Sequence, residues 1–205
     1  MKSLSPLHYQ LVFLLSALVA VTAGPAWAHT EAGISGGLVS GLLHPVLGPD
    51  HLLAMVAVGL WGAQLGNSAI WLLPIAFPLA MAVGGLLGVA GVPLPAIELG
   101  IGLSALLLGI MVAFRVKPAF WVAAFIVAFF ALFHGHAHGT ELPQAANALA
   151  YGVGFVVSTG LLHLLGILLG LLTRWPVGTK AVQIMGGAIA LCGAFFSVSS
   201  VGLVG

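Results

Sequence analysis

The sequence predicts an all-α fold, a polytopic bundle of transmembrane helices. Hydrophobic residues make up 61% of its 205 residues, and charged residues make up only 4%. A soluble domain carries about 25% charged residues, so this chain could not cover a surface that faces water. The formal net charge of +1 gives no indication of a nucleic-acid partner. The lipid bilayer is therefore the predicted surroundings of the chain.

Residues 1–28 are typical of a secretory signal peptide. Lys2 precedes an apolar run from Leu11 to Val21, and Ala26-Trp27-Ala28 matches the small-x-small cleavage pattern. Cleavage would leave His29 as the first residue of the mature chain, on the periplasmic side. An uncleaved first helix is the alternative.

Six apolar stretches follow, each long enough to cross about 30 Å of hydrocarbon. They lie at 35–64, 69–90, 97–114, 118–135, 145–172 and 181–203. The breaks between them contain glycine, proline, polar or charged residues: Gly66-Asn67-Ser68, Gly91-Val92-Pro93, Arg115-Val116-Lys117, Gly139 to Pro143, and Arg174 to Lys180. Residues 29–205 are thus predicted to form one six-helix transmembrane domain.

Loop charge predicts the orientation of these spans. If the mature N-terminus is periplasmic, four basic residues fall in cytoplasmic loops, as the positive-inside rule requires: Arg115, Lys117, Arg174 and Lys180. We therefore expect a bacterial inner-membrane protein with both mature termini in the periplasm. The sequence contains no nucleotide-binding glycine loop, so any transport would be driven by a gradient or by a partner chain. A homo-oligomer remains possible.

The densest group of ionisable residues is the segment from His44 to His51, inside the first predicted span. Ionisable groups cost about 2.5–3.5 kcal/mol at the centre of a membrane helix, which makes function the default hypothesis. On an unbroken helix His44 and His51 share a face, while Asp50 points about 100° away. Pro45, Gly48 and Pro49 predict a break that could turn all three side chains toward one ion. Alternatively, the prolines only kink the helix and the histidines bond neighbouring carbonyls.

A second cluster, from Phe133 to Glu141, lies at the periplasmic end of the fourth predicted span. His134 and His138 are one helical turn apart and could chelate together, whereas His136 points elsewhere. Because only glycine and alanine separate the histidines, we expect accessible imidazoles that capture metal at the outer mouth. His134 is the best candidate for the internal pathway. For His136 and His138 the alternative is a solvated loop with adventitious metal affinity.

Three further ionisable residues stand apart from these clusters. Glu98 begins the third predicted span, either as a second carboxylate on the pathway or as a cap for the helix's positive end. His163 lies well inside the fifth span, as a pore-lining or a packed histidine. His29 could chelate metal together with its own α-amine if the signal peptide is removed.

The resulting ligand set is rich in imidazole. Imidazole suits nickel, copper, zinc and iron, whereas magnesium and calcium sites are built from oxygen ligands. We therefore expect a divalent transition metal as the transported substrate, with no organic cofactor and no catalytic residue. The candidate metal residues are His44, Asp50, His51, Glu98, His134, His136, His138, His163 and His29.

Two runs resemble the signature of the HupE/UreJ proteins: His44-Pro45-x-x-Gly48-x-Asp50-His51-Leu52-Leu53-Ala54-Met55 and Phe133-His134-Gly135-His136-Ala137-His138-Gly139-x-Glu141. The resemblance covers the whole mature chain. It implies a secondary permease for nickel or cobalt that supplies hydrogenase or urease. It further implies that His44, Asp50 and His51 recognise the metal, with Glu98 and His134 in support. A larger nickel–cobalt transporter family has His-x4-Asp-His, one residue shorter than the spacing here, which leaves a shared ligand geometry open.

Two other classes of protein compete with a permease. An intramembrane hydrolase would need a zinc ion with three firm ligands and usually a separate acid–base residue. The sequence contains no His-Glu-x-x-His motif, and we do not expect an enzyme. A membrane metal sensor or storage protein would bind metal without flux. Composition and spacing separate neither nickel from cobalt nor proton coupling from facilitated diffusion.

Overall fold

The computed structural model describes residues 33–140 and 147–202. Within these ranges the chain is entirely helical, which confirms the all-α prediction, and it forms seven α-helices and one 3₁₀ turn at Leu171–Arg174. The helices are α1 (Gly33–Leu47), α2 (Pro49–Leu65), α3 (Ala69–Val89), α4 (Ile97–Ala113), α5 (Phe120–Thr140), α6 (Ala148–Gly170) and α7 (Pro176–Ser200). The predicted signal peptide, His29 and Glu141 lie outside the described residues.

Four of these helices are long and apolar enough to cross a membrane: α3, α5, α6 with its 3₁₀ extension, and α7. Helices α1 and α2 pass the same test together, as a pair bent by 78°. Helix α4 is apolar but has only 17 residues, which is about 25 Å at 1.5 Å per residue. The described residues therefore contain four to five candidate spans, and six spans remain a prediction.

Most predicted breaks fall between the observed helices, but two boundaries are wrong. Helix α5 continues to Thr140 instead of ending at 135. Helix α7 starts at Pro176, inside the segment predicted as a loop. Proline lacks an amide hydrogen and has a helical φ, so it suits the first position of a helix, where no intrahelical acceptor is lost. Helix α6 begins after Asn147, whose side chain accepts a hydrogen bond from the Ala150 amide at 3.0 Å.

The predicted break in the first span is confirmed, and it occupies a single residue. Gly48 separates α1 from α2 and has extended dihedrals, φ −88° and ψ 101°. Pro49 is responsible, because its ring disfavours a helical conformation at the preceding residue. Pro45 in the last turn of α1 also cannot donate a backbone hydrogen bond. The break places Asp50 in the first turn of α2, near its positive end.

Helix α2 is the central element of the bundle. Its residues from Leu52 to Gly62 are all buried, and it contacts α3, α4, α6 and α7. The other extensive pairings are α3 with α5, α4 with α7, and α1 with α6. Since α2 continues directly from the break, the surrounding helices fix the side chains that follow it.

The crossing of α2 and α6 depends on two glycines. A Cβ on Gly59 would overlap the His163 carbonyl, and a Cβ on Gly166 would overlap the Val56 carbonyl. The two backbones are therefore in direct contact, as small residues permit in membrane helices. This close approach brings the buried face of α6, including His163, against α2.

Side-chain hydrogen bonds connect three helices at one end of the bundle. Trp61 Nε1 donates to the Val116 carbonyl at 2.9 Å, and Gln64 Nε2 donates to the Val112 carbonyl at 3.0 Å. Gln183 Nε2 of α7 donates to the Ala113 carbonyl at 2.9 Å. These bonds go to carbonyls at the C-terminus of α4 and in the loop that follows it. The loop after α4 and the start of α7, together with the basic residues near them, therefore lie at the same end of the bundle.

Candidate metal site

Four imidazoles meet where the break between α1 and α2 faces α5. We call His44, His51, His134 and His138 the histidine cluster. Ring centroids are 4.7 Å apart for His44 and His138, 4.6 Å for His138 and His51, and 4.7 Å for His51 and His134. His44 and His51 themselves are 6.4 Å apart. The two sequence motifs, more than eighty residues apart, thus form one continuous row of imidazoles.

Asp50 fixes the orientation of His51. The Asp50 Oδ1 atom accepts hydrogen bonds from the His51 amide and from His51 Nδ1, both at 2.8 Å. A carboxylate only accepts, so Nδ1 carries the hydrogen, and in the neutral imidazole Nε2 keeps its lone pair. His51 Nε2 is buried and has no hydrogen-bond partner. This carboxylate–imidazole pairing is the usual arrangement behind a metal-ligating histidine.

Ser104 has the same role for His134. The Ser104 hydroxyl donates to the Ile101 carbonyl at 2.6 Å and lies 2.8 Å from His134 Nε2. Because the hydroxyl has a single hydrogen, it can only accept from Nε2–H. The lone pair of His134 is therefore on Nδ1, which is buried without a partner. Sequence reasoning missed Ser104, and its only signal was a hydroxyl within the apolar run of α4.

His138 occupies the middle of the row, and neither of its ring nitrogens has a hydrogen-bond partner. Its ring lies 4.1 Å from that of Phe155 on α6. The prediction of accessible imidazoles is wrong for His136 and His138, since they are only 3% and 6% exposed. The backbone of Gly139, the residue after His138, packs against Gly85 of α3. Helix α5 therefore remains helical and buried where a loop was expected.

His136 points away from the cluster, as its place on the helix predicted. Its Nε2 lies 2.6 Å from the carbonyl oxygen of Val92, in the connection between α3 and α4. His136 therefore ties the end of α5 to that connection. Its second nitrogen, Nδ1, is buried without a partner.

The remaining described candidates lie outside the cluster. Glu98 is exposed in the first turn of α4, beside Leu94 and Val201 in a surface depression. This position favours the capping alternative, because the carboxylate lies at the positive end of its helix. His163 is buried on α6, on the far side of Phe77 from the cluster. The Phe77 ring lies 5.4 Å from His134 and 5.3 Å from His163, measured between centroids.

The cluster offers several bare nitrogens but no closed chelate. Across residues 33–140 and 147–202, no three His, Cys, Asp or Glu side chains are placed to hold a single ion. A structural zinc site, by contrast, is closed by four ligands. The imidazoles are arranged in a row instead of around a single point.

Comparison with known proteins gives two matches. The family model described as HupE / UreJ protein matches residues 17–196. Protein HupE of Rhizobium leguminosarum bv. viciae is 46% identical over 181 residues, which is 88% of this chain and 95% of that protein. No solved structure matches.

Proposed function

The chain belongs to the HupE/UreJ family, and from this membership and the histidine cluster we propose that it is a secondary permease for nickel or cobalt. It carries the divalent ion from the periplasm to the cytoplasm across the bacterial inner membrane. The nickel or cobalt substrate comes from the resemblance to the family. The pathway comes from the buried imidazoles at the break between α1 and α2.

The observation that carries this proposal is the row of four imidazoles, two of which have assigned lone pairs. Asp50 and Ser104 hold His51 and His134 in opposite tautomers, which leaves His51 Nε2 and His134 Nδ1 bare. Bare imidazole nitrogens in a buried space favour a borderline-soft transition metal over magnesium or calcium. The ring of His138 lies between those of His44 on α1 and His51 on α2. It therefore connects His44 to the pair formed by His51 and His134.

Asp50 supplies the negative charge that the ion needs in this pathway. A divalent cation in a low-dielectric region is costly unless opposite charge lies nearby. Asp50 is half-buried beside His51. Its carboxylate can therefore offset part of the ion's charge at the position where the ion begins to lose its water ligands. In this proposal His44, half-buried at the end of α1, meets the ion first, and His138, His51 and His134 receive it in turn.

The direct test is uptake of radiolabelled nickel and cobalt into proteoliposomes that contain the purified chain. We expect uptake above protein-free liposomes for the wild type, and uptake at the protein-free level for Asp50→Asn. The substitution keeps the size of the side chain and removes its charge, so the variant should still reconstitute. Wild-type uptake no faster than that of protein-free liposomes would overturn the proposed function. Metal binding in that case would indicate a sensor or storage protein.

A further inference from the structure

A second group of unsatisfied polar atoms lies deeper in the bundle than the histidine cluster. Thr159 and His163 are one helical turn apart on α6 and share a face. They are 0% and 1% exposed, and Thr159 Oγ1 and both ring nitrogens of His163 lack hydrogen-bond partners. Buried polar groups are normally satisfied, so three unpaired atoms at one place require an explanation.

A backbone carbonyl of α3 completes this group. Helix α3 contains Pro74 and Pro78, four residues apart. Pro78 has no amide hydrogen, so the Pro74 carbonyl lacks its usual intrahelical donor. The imidazole of His163 packs against Phe77, three residues after Pro74 on α3, and the Pro74 carbonyl is the backbone group with which it interacts. Neither ring nitrogen, however, meets a partner with hydrogen-bond geometry. A freed carbonyl oxygen, a hydroxyl and an imidazole thus lie on facing helices.

We propose that His163, Thr159 and the Pro74 carbonyl form a second, inner station for the transported divalent cation. This inference rests on the proposed permease function and adds a site on the far side of Phe77. The Phe77 ring contacts the rings of both His134 and His163. An ion that leaves His134 passes this ring and is received by one of the two unpaired ring nitrogens of His163.

The donor set explains why the inner station would release its ion. It has one imidazole and two neutral oxygens, whereas the cluster has several imidazoles and the Asp50 carboxylate. A site without a charged ligand binds a divalent cation more weakly, and conduction requires sites that the ion can leave. The alternative is a structural one, in which His163 braces α3 at its proline pair and an ordered water satisfies Thr159.

Uptake kinetics distinguish a station from a brace. Thr159→Val removes one oxygen and keeps the shape of the side chain, and His163→Leu removes the imidazole. Because the histidine cluster is intact in both, we expect the maximal rate of nickel uptake to fall about tenfold, at the low end of what loss of a metal-site partner costs. The half-saturating nickel concentration should change less than twofold. Ser158→Ala, a buried hydroxyl one position away, is the matched control and should transport like the wild type.

Titration of the detergent-purified chain with Co²⁺ alone gives a readout that does not depend on transport. We expect two spectroscopically distinct equivalents of Co²⁺ in the wild type, of which the weaker one is lost in Thr159→Val and in His163→Leu. Wild-type spectra and rates in Thr159→Val, which preserves packing, would overturn the inner station whatever His163→Leu does. Absence of wild-type uptake would overturn the permease function, and the titration would then decide the station by itself.

Discussion

At the scale of single residues, hydrogen bonding determines what each histidine of the cluster can do. Asp50 assigns the hydrogen of His51 to Nδ1, and Ser104 assigns the hydrogen of His134 to Nε2. The two rings therefore direct lone pairs from different nitrogens although their centroids are only 4.7 Å apart. Neutral imidazole has one donor and one acceptor nitrogen, so a partner on one fixes the role of the other.

Ser104→Ala tests this assignment. Without the hydroxyl, His134 Nε2–H is buried without an acceptor and the ring is free to change tautomer or rotate. Loss of such a partner typically costs about 10–100-fold in metal affinity. We therefore expect the cobalt dissociation constant of the purified chain to rise by at least about tenfold. Ser197→Ala is the control, because Ser197 is also buried but bonds Gly193 within α7. Equal affinities in the two variants would contradict the assignment.

The two C-terminal histidines of α5 should differ sharply on substitution. His138→Gln removes the ring between His44 and His51, so we expect nickel uptake to fall to near the protein-free level. His136→Gln keeps an amide donor within reach of the Val92 carbonyl, so uptake should stay within about twofold of the wild type while thermal stability falls by about 1 kcal/mol. Uptake assays on both variants, normalised to reconstituted protein, check the difference. Equal loss in both would place His136 in the pathway.

The sequence predicted part of this site for identifiable reasons. The spacing of His44, Asp50 and His51 around two prolines was enough to predict a polar break. The burial of His138 was not predictable, because the same glycines that suggest a loop also permit tight packing of α5 on α3. Ser104 was missed because its partner is 30 residues away on another helix. Local pattern carries no information about which helices pack together.

At the scale of helices, some prolines begin a helix and others lie inside one. Pro49 and Pro176 each occupy the first turn of a helix, where their missing amide hydrogen costs nothing. Pro74 and Pro78, by contrast, lie inside α3 without ending it. The sequence predicted the break within 45–49 and misplaced the start of α7. Whether a proline begins a helix or lies inside one depends on how the helices pack. That packing cannot be predicted from the local sequence pattern.

The close contact of α2 and α6 at their glycines should make the thermal stability of the chain sensitive to an added Cβ. Gly166→Ala would place a Cβ against the Val56 carbonyl and the Gly59 Cα. Overpacking of this kind costs about 1–3 kcal/mol, so we expect a lower thermal midpoint in detergent. Gly160→Ala on the same helix has open space around the new Cβ, and it should be neutral or slightly stabilising because alanine is the better helix former. A midpoint for Gly166→Ala equal to that of Gly160→Ala would show that the helices do not cross as closely as described.

At the scale of the whole molecule, the loops fall into two groups at opposite ends of the bundle. The C-termini of α2 and α4 and the start of α7 are joined by the hydrogen bonds of Trp61, Gln64 and Gln183. The connection between α3 and α4 bonds His136 near the C-terminus of α5 instead. This alternation is what six spans with basic cytoplasmic loops require. The bent pair α1–α2 and the short helix α4 are the two elements that decide the count.

Cysteine accessibility would decide whether α4 crosses the membrane. We expect Ser68→Cys and Lys117→Cys, each in a Cys192→Ala background, to react with an impermeant thiol reagent only in inside-out vesicles. Val92→Cys should react only in intact spheroplasts, because α4 separates residue 92 from residue 117. All three positions are exposed at the surface of the bundle, so protection reports the membrane and not burial. If Val92→Cys and Lys117→Cys reacted from the same side, α4 would not cross, and the Ser104–His134 contact would belong to a re-entrant helix that reaches the pathway from one face of the membrane.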